Sequence, residues 1–198
     1  DNGSIQKECG VDEVGEVCVY NPGVTLNGTY TDDKKNKGLY PDDRFMRTGD
    51  LGRIDKDGYL WLTGRAKDLI IRGGHNIDPS LIEDAIAGHK DVAAVGAIGQ
   101  PDPNAGEVPC AYVQLIGGSR TSSEAIANFA NEAIGEQAAK PRHVEVLKEL
   151  PLTNVGKIFK PELRKMAITR VINEHLKSKD LGAKVDIVRD DKNLGLVA

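Results

Sequence analysis

The chain has 198 residues, of which 39% are hydrophobic and 28% are charged, so it can bury a core and is not a disordered tail. Its formal net charge of -4 excludes the general attraction to nucleic acid or to an anionic membrane that a basic chain has. No apolar stretch approaches the roughly 20 residues that span a bilayer. Cys9, Cys18 and Cys110 match neither a metal-binding pattern nor a disulfide framework, which favours a reducing, cytoplasmic location.

The first region, residues 1–66, is rich in Gly, Asp and Lys and carries short strand-like runs. Residues 22–44 hold little apolar material, which predicts a loop. Met46–Ile54 and Tyr59–Thr63 predict two strands joined through Asp55–Gly58, because Asp-Gly within a short polar gap is a strong hairpin signal. With few large apolar residues, this region is too thin to form a core of its own.

From residue 67 onward helices and strands alternate, which predicts a compact α+β domain. Asp78-Pro79 predicts a helix start, Thr121 with Glu124 predicts a capping box before a second helix, and Pro161 opens a long amphipathic helix. The predicted strands are Leu69–Ile71, Val92–Ile98, Val108–Ile116, His143–Leu147 and, late in the chain, Val185–Val188. The residues predicted to face the core from the first two helices are Leu81, Ile82, Ala85, Ile86, Ile126, Phe129, Ala130 and Ala133.

Two residues of the first region are candidates for binding hydroxyl groups. Asp50 follows Thr48-Gly49, and a carboxylate held by a tight Gly turn can accept hydrogen bonds from two neighbouring hydroxyls, as a ribose presents. The alternative is an ordinary Asp turn or cap. Arg65 can fork onto hydroxyls or phosphate, and its alternative role is a surface charge. Gly64 and the charged run after it also suit a link between the two regions, because few apolar residues anchor it.

The turn Arg72–Asn76 precedes the first predicted helix and contains two adjacent glycines, Gly73 and Gly74. Glycines allow a ligand to approach the backbone closely, although a plain connection with positive φ explains them equally well. His75 beside them is by itself more often structural than catalytic. The remaining histidines, His89, His143 and His175, have no partners at metal-ligand spacing and predict structural or surface roles.

Lys157 lies in the segment Pro151–Pro161, which Pro151, Asn154 and Gly156 are expected to keep extended and mobile. An ammonium group on a long stem suits a phosphate or a developing oxyanion in phosphoryl or acyl transfer. Spacing alone also allows the simpler interpretation, in which a loop lysine is solvated.

Taken in order, these motifs resemble the carboxyl-terminal part of the adenylate-forming (AMP-binding) superfamily, which includes acyl-CoA synthetases, peptide-synthetase adenylation domains and luciferases. The segments that carry the resemblance are Thr48–Asp50, Gly58–Leu60, Gly64–Asp68, Gly73-Gly74, Pro79–Glu83 and Pro151–Lys157. The detail of Ile70–Ile77 is closer to acyl-CoA synthetases than to peptide synthetases. The resemblance implies a mobile, compact α+β carboxyl-terminal domain over residues 67–198, preceded over residues 1–66 by the β-rich end of the large amino-terminal domain.

The same resemblance implies roles for individual residues. Asp50 would hold the ribose hydroxyls of ATP with help from Arg65, and Leu62 would line the nucleotide pocket. Lys157 would bridge the carboxylate substrate and the α-phosphate when the acyl-adenylate forms. Rotation at a hinge residue, Lys67, would then withdraw Lys157 and bring the face formed by Gly73, Gly74 and His75 to the site, where it would line the pantetheine tunnel of CoA.

The resemblance leaves out the phosphate loop, the adenine-binding segment and the acyl pocket of this superfamily, all of which are expected upstream of Asp1. We therefore expect ATP with Mg²⁺ to be bound mainly by that missing part, and the chain alone to be inactive. Two alternatives stay open. One is a peptide-synthetase type adenylation domain that loads a carrier protein, although no carrier motif follows. The other is a non-catalytic interaction module.

Overall fold

A computed structural model describes residues 5, 7–23, 30–31, 33–36, 38–40, 44–191 and 195–197. The chain separates into two compact units, Asp1–Asp68 and Leu69–Ala198. Within the described residues, no helix combines the length and the apolar character that crossing a membrane requires.

The first unit is built on a three-stranded antiparallel sheet in the order β1-β2-β3. Its strands are β1 (Gly15–Val19), β2 (Met46–Ile54) and β3 (Leu60–Arg65), so the predicted hairpin is confirmed. A four-residue helix, α1 (Asp33–Asn36), lies inside the segment predicted as a loop, part of which falls outside the described residues. Leu51 is the one apolar residue of this unit's described part that is buried, in keeping with the thin core expected from the sequence.

The second unit is an α+β domain with a mixed sheet. Its elements are β4 (Ile70–Arg72), β5 (His75–Ile77), α2 (Pro79–Ala87), β6 (Val92–Asp102), β7 (Gly106–Leu115), α3 (Ser123–Ala133), β8 (His143–Leu147), α4 (Lys160–Ser178), β9 (Arg189–Asp191) and β10 (Gly195–Val197). The strand order is β5-β4-β7-β6, and β8 pairs in parallel with β7. Because β6 follows β7 along its whole length, β4 and β8 share the other edge of β7.

Side chains of β7 point alternately to the two faces of this sheet, and each face carries its own core. Ala111 and Val113 join the cluster that includes Ile82 and Ile86 of α2 and Ile126 of α3. On the opposite face, a second cluster packs beneath α4. Its buried members are Ile98, Cys110, Tyr112, Leu150, Leu163 and Ala167.

Several details predicted for the helices are wrong. Ser122 rather than Thr121 caps α3, since its side chain accepts from the N–H of Ala125. The Thr121 hydroxyl instead donates to Asp91, at 2.6 Å. The two residues predicted to face the core but found exposed are Leu81 and Ala133.

The predicted strand Val185–Val188 does not form. The side-chain amide of Asn173 on α4 both donates to the carbonyl of Val185 and accepts from its N–H, each at 2.8 Å. A side chain thus satisfies the backbone groups that a neighbouring strand would otherwise pair. The following strand begins at Arg189 instead and pairs with β10.

Candidate functional site

The register of the β2–β3 hairpin places Asp50 directly opposite Arg65 and Gly52 opposite Leu62. Thr63 is an extra residue, because Leu51 pairs with Gly64, and it forms a β-bulge. Alternate residues of β2 share a face, so their partners Leu62 and Arg65 also share that face, although three positions separate them. The bulge therefore gathers Asp50, Leu62 and Arg65 on one side of the hairpin.

Asp50 is held in place by the backbone that precedes it and by its partner across the strands. Arg65 Nε donates to Asp50 Oδ1 at 3.0 Å. The N–H of Asp50 donates to Thr48 Oγ1, and the Thr48 hydroxyl donates to the carbonyl of Val17 on β1. Gly49 has φ 75, in the left-handed region that favours glycine, but it lies within β2 and not in the turn expected from the sequence. Both side chains of the ion pair stay partly open to solvent, at 32% for Asp50 and 56% for Arg65.

Lys67 lies in the 3₁₀ turn Ala66–Asp68 that follows β3, and its side chain is exposed. The second unit begins at Leu69, two residues later. No buried residue occurs in this 3₁₀ turn.

The β4–β5 hairpin presents Gly73, Gly74 and His75 at its tip, where all three are exposed. Gly73 and Gly74 have φ 55 and 87, and a Cβ on either would meet no atom within 4 Å. The two glycines are thus required by the backbone conformation and not by crowding. The hairpin is tied to the rest of the unit at Arg72, whose Nη1 donates to the carbonyl of Ala138 at 2.6 Å.

Lys157 lies in a closed hairpin, residues 151–159, which we call the Lys157 hairpin. Its strands pair at Leu152 and Ile158, and the N–H of Phe159 donates to the carbonyl of Pro151 at 2.7 Å. Thr153 closes the tip, because its N–H donates to the carbonyl of Lys157 and its hydroxyl oxygen accepts from the Lys157 N–H. The expectation that this segment is an extended loop is therefore wrong, because hydrogen bonds close it into a hairpin, and the Lys157 side chain is exposed.

The candidate residues consequently fall into three places. Asp50, Leu62 and Arg65 form one group in the first unit, whereas Lys157 and the Gly73–His75 turn lie on two different hairpins of the second unit. The bulge at Thr63 and the role of Thr153 in closing the Lys157 hairpin were not predicted from the sequence. A threonine four residues before the lysine, across a turn ending in Gly156, is the signal that would have revealed the second.

Two other side chains with reactive groups, Cys110 and His89, have structural roles. Burial raises the pKa of the Cys110 thiol to about 11, so it is not a nucleophile near neutral pH. His89 packs edge-on against Phe129, with ring centres 4.9 Å apart, as the structural interpretation predicts. Among the described residues, no three His, Cys, Asp or Glu side chains group so as to hold a metal ion.

The chain is similar to known proteins in both sequence and fold, and these proteins identify its family. The family described as AMP-binding enzyme C-terminal domain matches residues 81–157. The chain belongs to the adenylate-forming (AMP-binding) superfamily, and its α+β second unit has the fold of the carboxyl-terminal domain of these enzymes.

Three known proteins illustrate this similarity. The chain is 45% identical over 192 residues to the marinolic acid–CoA ligase of Pseudoalteromonas sp. (strain SANK 73390), covering 96% of this chain and 29% of the relative. The ATP-bound crystal structure of MatB from Rhodopseudomonas palustris matches with a TM-score of 0.72 and 32% identity, covering 80% of this chain and 31% of that one. The amide bond synthetase McbA from Marinactinospora thermotolerans matches with a TM-score of 0.70 and 33% identity, covering 80% and 32%. The chain thus spans less than a third of the length of these relatives.

Proposed function

We propose that the chain is the carboxyl-terminal part of an acyl-CoA synthetase that activates a carboxylic acid, in our proposal a fatty acid. A carboxylate oxygen attacks the α-phosphorus of ATP, and the bond from that phosphorus to pyrophosphate breaks. The thiol of CoA then attacks the acyl carbon, releasing AMP and the thiol proton. The observation that carries this proposal is the shared face of Asp50, Leu62 and Arg65, in a chain whose relatives are CoA ligases.

In this proposal the first unit contributes to nucleotide binding. Asp50 has a second carboxylate oxygen beyond the one that Arg65 contacts, so it can accept from ribose hydroxyls while the ion pair orients it. Leu62, which is 65% exposed on the same face, supplies apolar surface for the base. Mg²⁺ would arrive with the ATP phosphates, and we assign it no ligand in this chain.

The second unit contributes one group to each half-reaction. Lys157 neutralises charge on the carboxylate and the α-phosphate as the acyl-adenylate forms. The Gly73-Gly74-His75 tip offers a backbone without side-chain bulk along which the pantetheine arm of CoA lies. Lys67 lies beside the boundary between the units and is the proposed hinge. Rotation at Lys67 would replace Lys157 at the site with the Gly73-Gly74-His75 tip. We also propose that the protein is cytoplasmic and that residues 1–66 belong to the large nucleotide-binding domain.

The test is ATP–pyrophosphate exchange, with straight-chain fatty acids of increasing length as probes. We expect no exchange by the 198-residue chain alone, and exchange by the protein as its gene encodes it. Lys157→Ala should lower exchange at least 100-fold, as expected when a group that stabilises the transition state is removed, while thioester formation from supplied acyl-adenylate and CoA persists. Unchanged exchange in Lys157→Ala would refute the assigned role.

The group that accepts the acyl chain needs a separate test, because the similar protein McbA is an amide bond synthetase. With purified acyl-adenylate, we expect CoA to be acylated faster than a simple amine or a carrier-protein thiol. Faster acylation of an amine would replace the CoA-ligase proposal with amide synthesis, and faster loading of a carrier would favour the peptide-synthetase type. A full-length protein that forms no acyl-adenylate from any probe would favour the non-catalytic module.

A further inference from the structure

The Lys157 hairpin rests on two neighbouring residues of the edge strand β6. A Cβ added at Gly96 would lie 2.7 Å from Leu163 Cδ1 and 2.9 Å from Ile158 Cγ2. Leu163 and Ile158 therefore occupy the space that a side chain at residue 96 would fill. Ile158 is the residue after Lys157 and packs against the core cluster beneath α4. The base of the hairpin is therefore seated on β6 by direct packing.

Glu83 on α2 fixes the same place electrostatically. Its Oε1 accepts from the N–H of Ala97, the residue after Gly96, at 2.8 Å. The same oxygen lies 2.9 Å from Nζ of Lys160, the first residue of α4. The side chain of Lys160 is 20% exposed and that of Glu83 is 23% exposed. Water and salt therefore screen this ion pair less than they screen a pair on the surface. One carboxylate thus joins α2, β6 and the chain three residues after Lys157.

We propose that Glu83 and Lys160 are positioning residues for Lys157, an inference that rests on the role proposed for that lysine. The hydrogen bonds within the hairpin make its backbone one closed piece, so a shift at its base moves its tip. A catalytic group displaced by about 1 Å loses on the order of 100-fold in rate. Glu83 and Lys160 thereby act on acyl-adenylate formation without touching the substrates.

The first test measures the hairpin in the 198-residue chain by amide hydrogen exchange. We expect Glu83→Gln and Lys160→Met to speed exchange at Thr153, Gly156 and Phe159 on the order of tenfold, because the base of the hairpin loses its anchor. Lys160→Arg keeps the pair and should leave exchange unchanged. Unchanged protection in Glu83→Gln would overturn the inference.

A matched control lies on the same helix. Glu162 is 3.8 Å from Lys165 in an ion pair of the first two turns of α4, and its side chain is 46% exposed. Glu162→Gln removes the same type of charge from an ion pair that lies within α4 and is more exposed than the Glu83–Lys160 pair. We expect the control to exchange like the unmodified chain, and equal acceleration in the control would overturn the inference.

The second test separates the two half-reactions in the protein as its gene encodes it. Glu83→Gln and Lys160→Met should lower ATP–pyrophosphate exchange by 10- to 100-fold, an estimate from the sensitivity of rates to misplacement, while thioester formation from supplied acyl-adenylate stays the same. General destabilisation would lower both half-reactions and would refute a positioning role. In a Lys157→Ala background, Glu83→Gln should cause no further loss, because the effect passes through the lysine.

The failures of the two proposals are distinguishable. If Lys157→Ala leaves pyrophosphate exchange intact, the proposed function of that lysine falls, and the positioning role falls with it. If Lys157→Ala abolishes exchange but Glu83→Gln does not lower it, the positioning role alone falls.

Discussion

At the scale of single residues, Asp55 shows how one carboxylate organises the turn between β2 and β3. Its Oδ1 accepts from the N–H groups of Asp57 and Tyr59, and its Oδ2 accepts from the indole of Trp61 at 2.7 Å. The Trp61 hydrogen bond is the largest of the causes that lower the pKa of Asp55 below its usual value of 3.8. The turn that precedes the Leu62–Arg65 face thus depends on an ionised carboxylate.

The sign of this shift predicts the acid response of the turn. A lowered pKa stabilises the folded turn at any pH above 3.8, and that stability is lost as the pH falls through the lowered value. Because Trp61 is the only tryptophan, its fluorescence reports on this site alone. We expect the fluorescence to change in acid with a midpoint below 3.8, and Asp55→Asn to abolish this change. A fluorescence titration with its midpoint above 3.8 would contradict the prediction.

The residue scale also shows what a sequence can and cannot predict about the site. Asp50 and Arg65 stand in short motifs whose residue types match their chemistry, so both were identified before their 3.0 Å contact was seen. Their common face with Leu62 was not predictable by alternation, because odd spacing places residues of a regular strand on opposite faces. A single extra residue, Thr63, reverses that result.

At the scale of elements, the start of a helix was predictable where proline directly follows the capping residue. Asp78 accepts from the N–H of Ser80 at 2.9 Å, as its position before Pro79 indicates. The start of α3 was displaced by one residue because Asp91, thirty residues earlier, takes the Thr121 hydroxyl. The strand β5 was missed because Ile77 is the one apolar residue among its three, so it lacks the apolar run that indicates β4.

The cap of α2 gives a quantitative prediction at this scale. Asp78→Ala should lower the free energy of unfolding by about 1 kcal/mol, because the N–H of Ser80 loses its acceptor. The matched control is Asp84→Ala, which removes an exposed carboxylate from the same helix and should change stability by less than about 0.5 kcal/mol. Urea denaturation followed by circular dichroism measures both, and equal losses in the two variants would show that the cap does not stabilise the helix.

At the scale of the whole molecule, the two units differ sharply in how much apolar surface they bury. Both core clusters belong to the second unit, whereas the described part of the first unit buries Leu51. Exposed apolar side chains concentrate on β3 of the first unit, where Leu60, Trp61 and Leu62 are each more than half exposed. Since burial supplies most of the stabilisation of a fold, we expect the first unit to be the less stable of the two.

This difference predicts that the chain does not unfold in one step. Trp61 fluorescence follows the first unit and far-ultraviolet circular dichroism follows mainly the helices of the second unit. We expect the fluorescence transition in urea at a lower concentration, with a shallower slope, than the dichroism transition. Coincident curves would mean that the two units unfold as one cooperative structure.

The bulge at Thr63 has a consequence for how this hairpin tolerates changes in length during evolution. Loss of Thr63 would leave Leu62 and Arg65 two positions apart, and a regular strand keeps such residues on one face. A chain shorter by that residue therefore retains the same side-chain arrangement. Loss of Leu51, by contrast, would make Asp50 the direct neighbour of Gly52 in β2. Asp50 would then lie on the face opposite to that of Leu62, the partner of Gly52. Deletion of the bulge residue Thr63 should therefore be neutral for this face, whereas deletion of Leu51 should damage it.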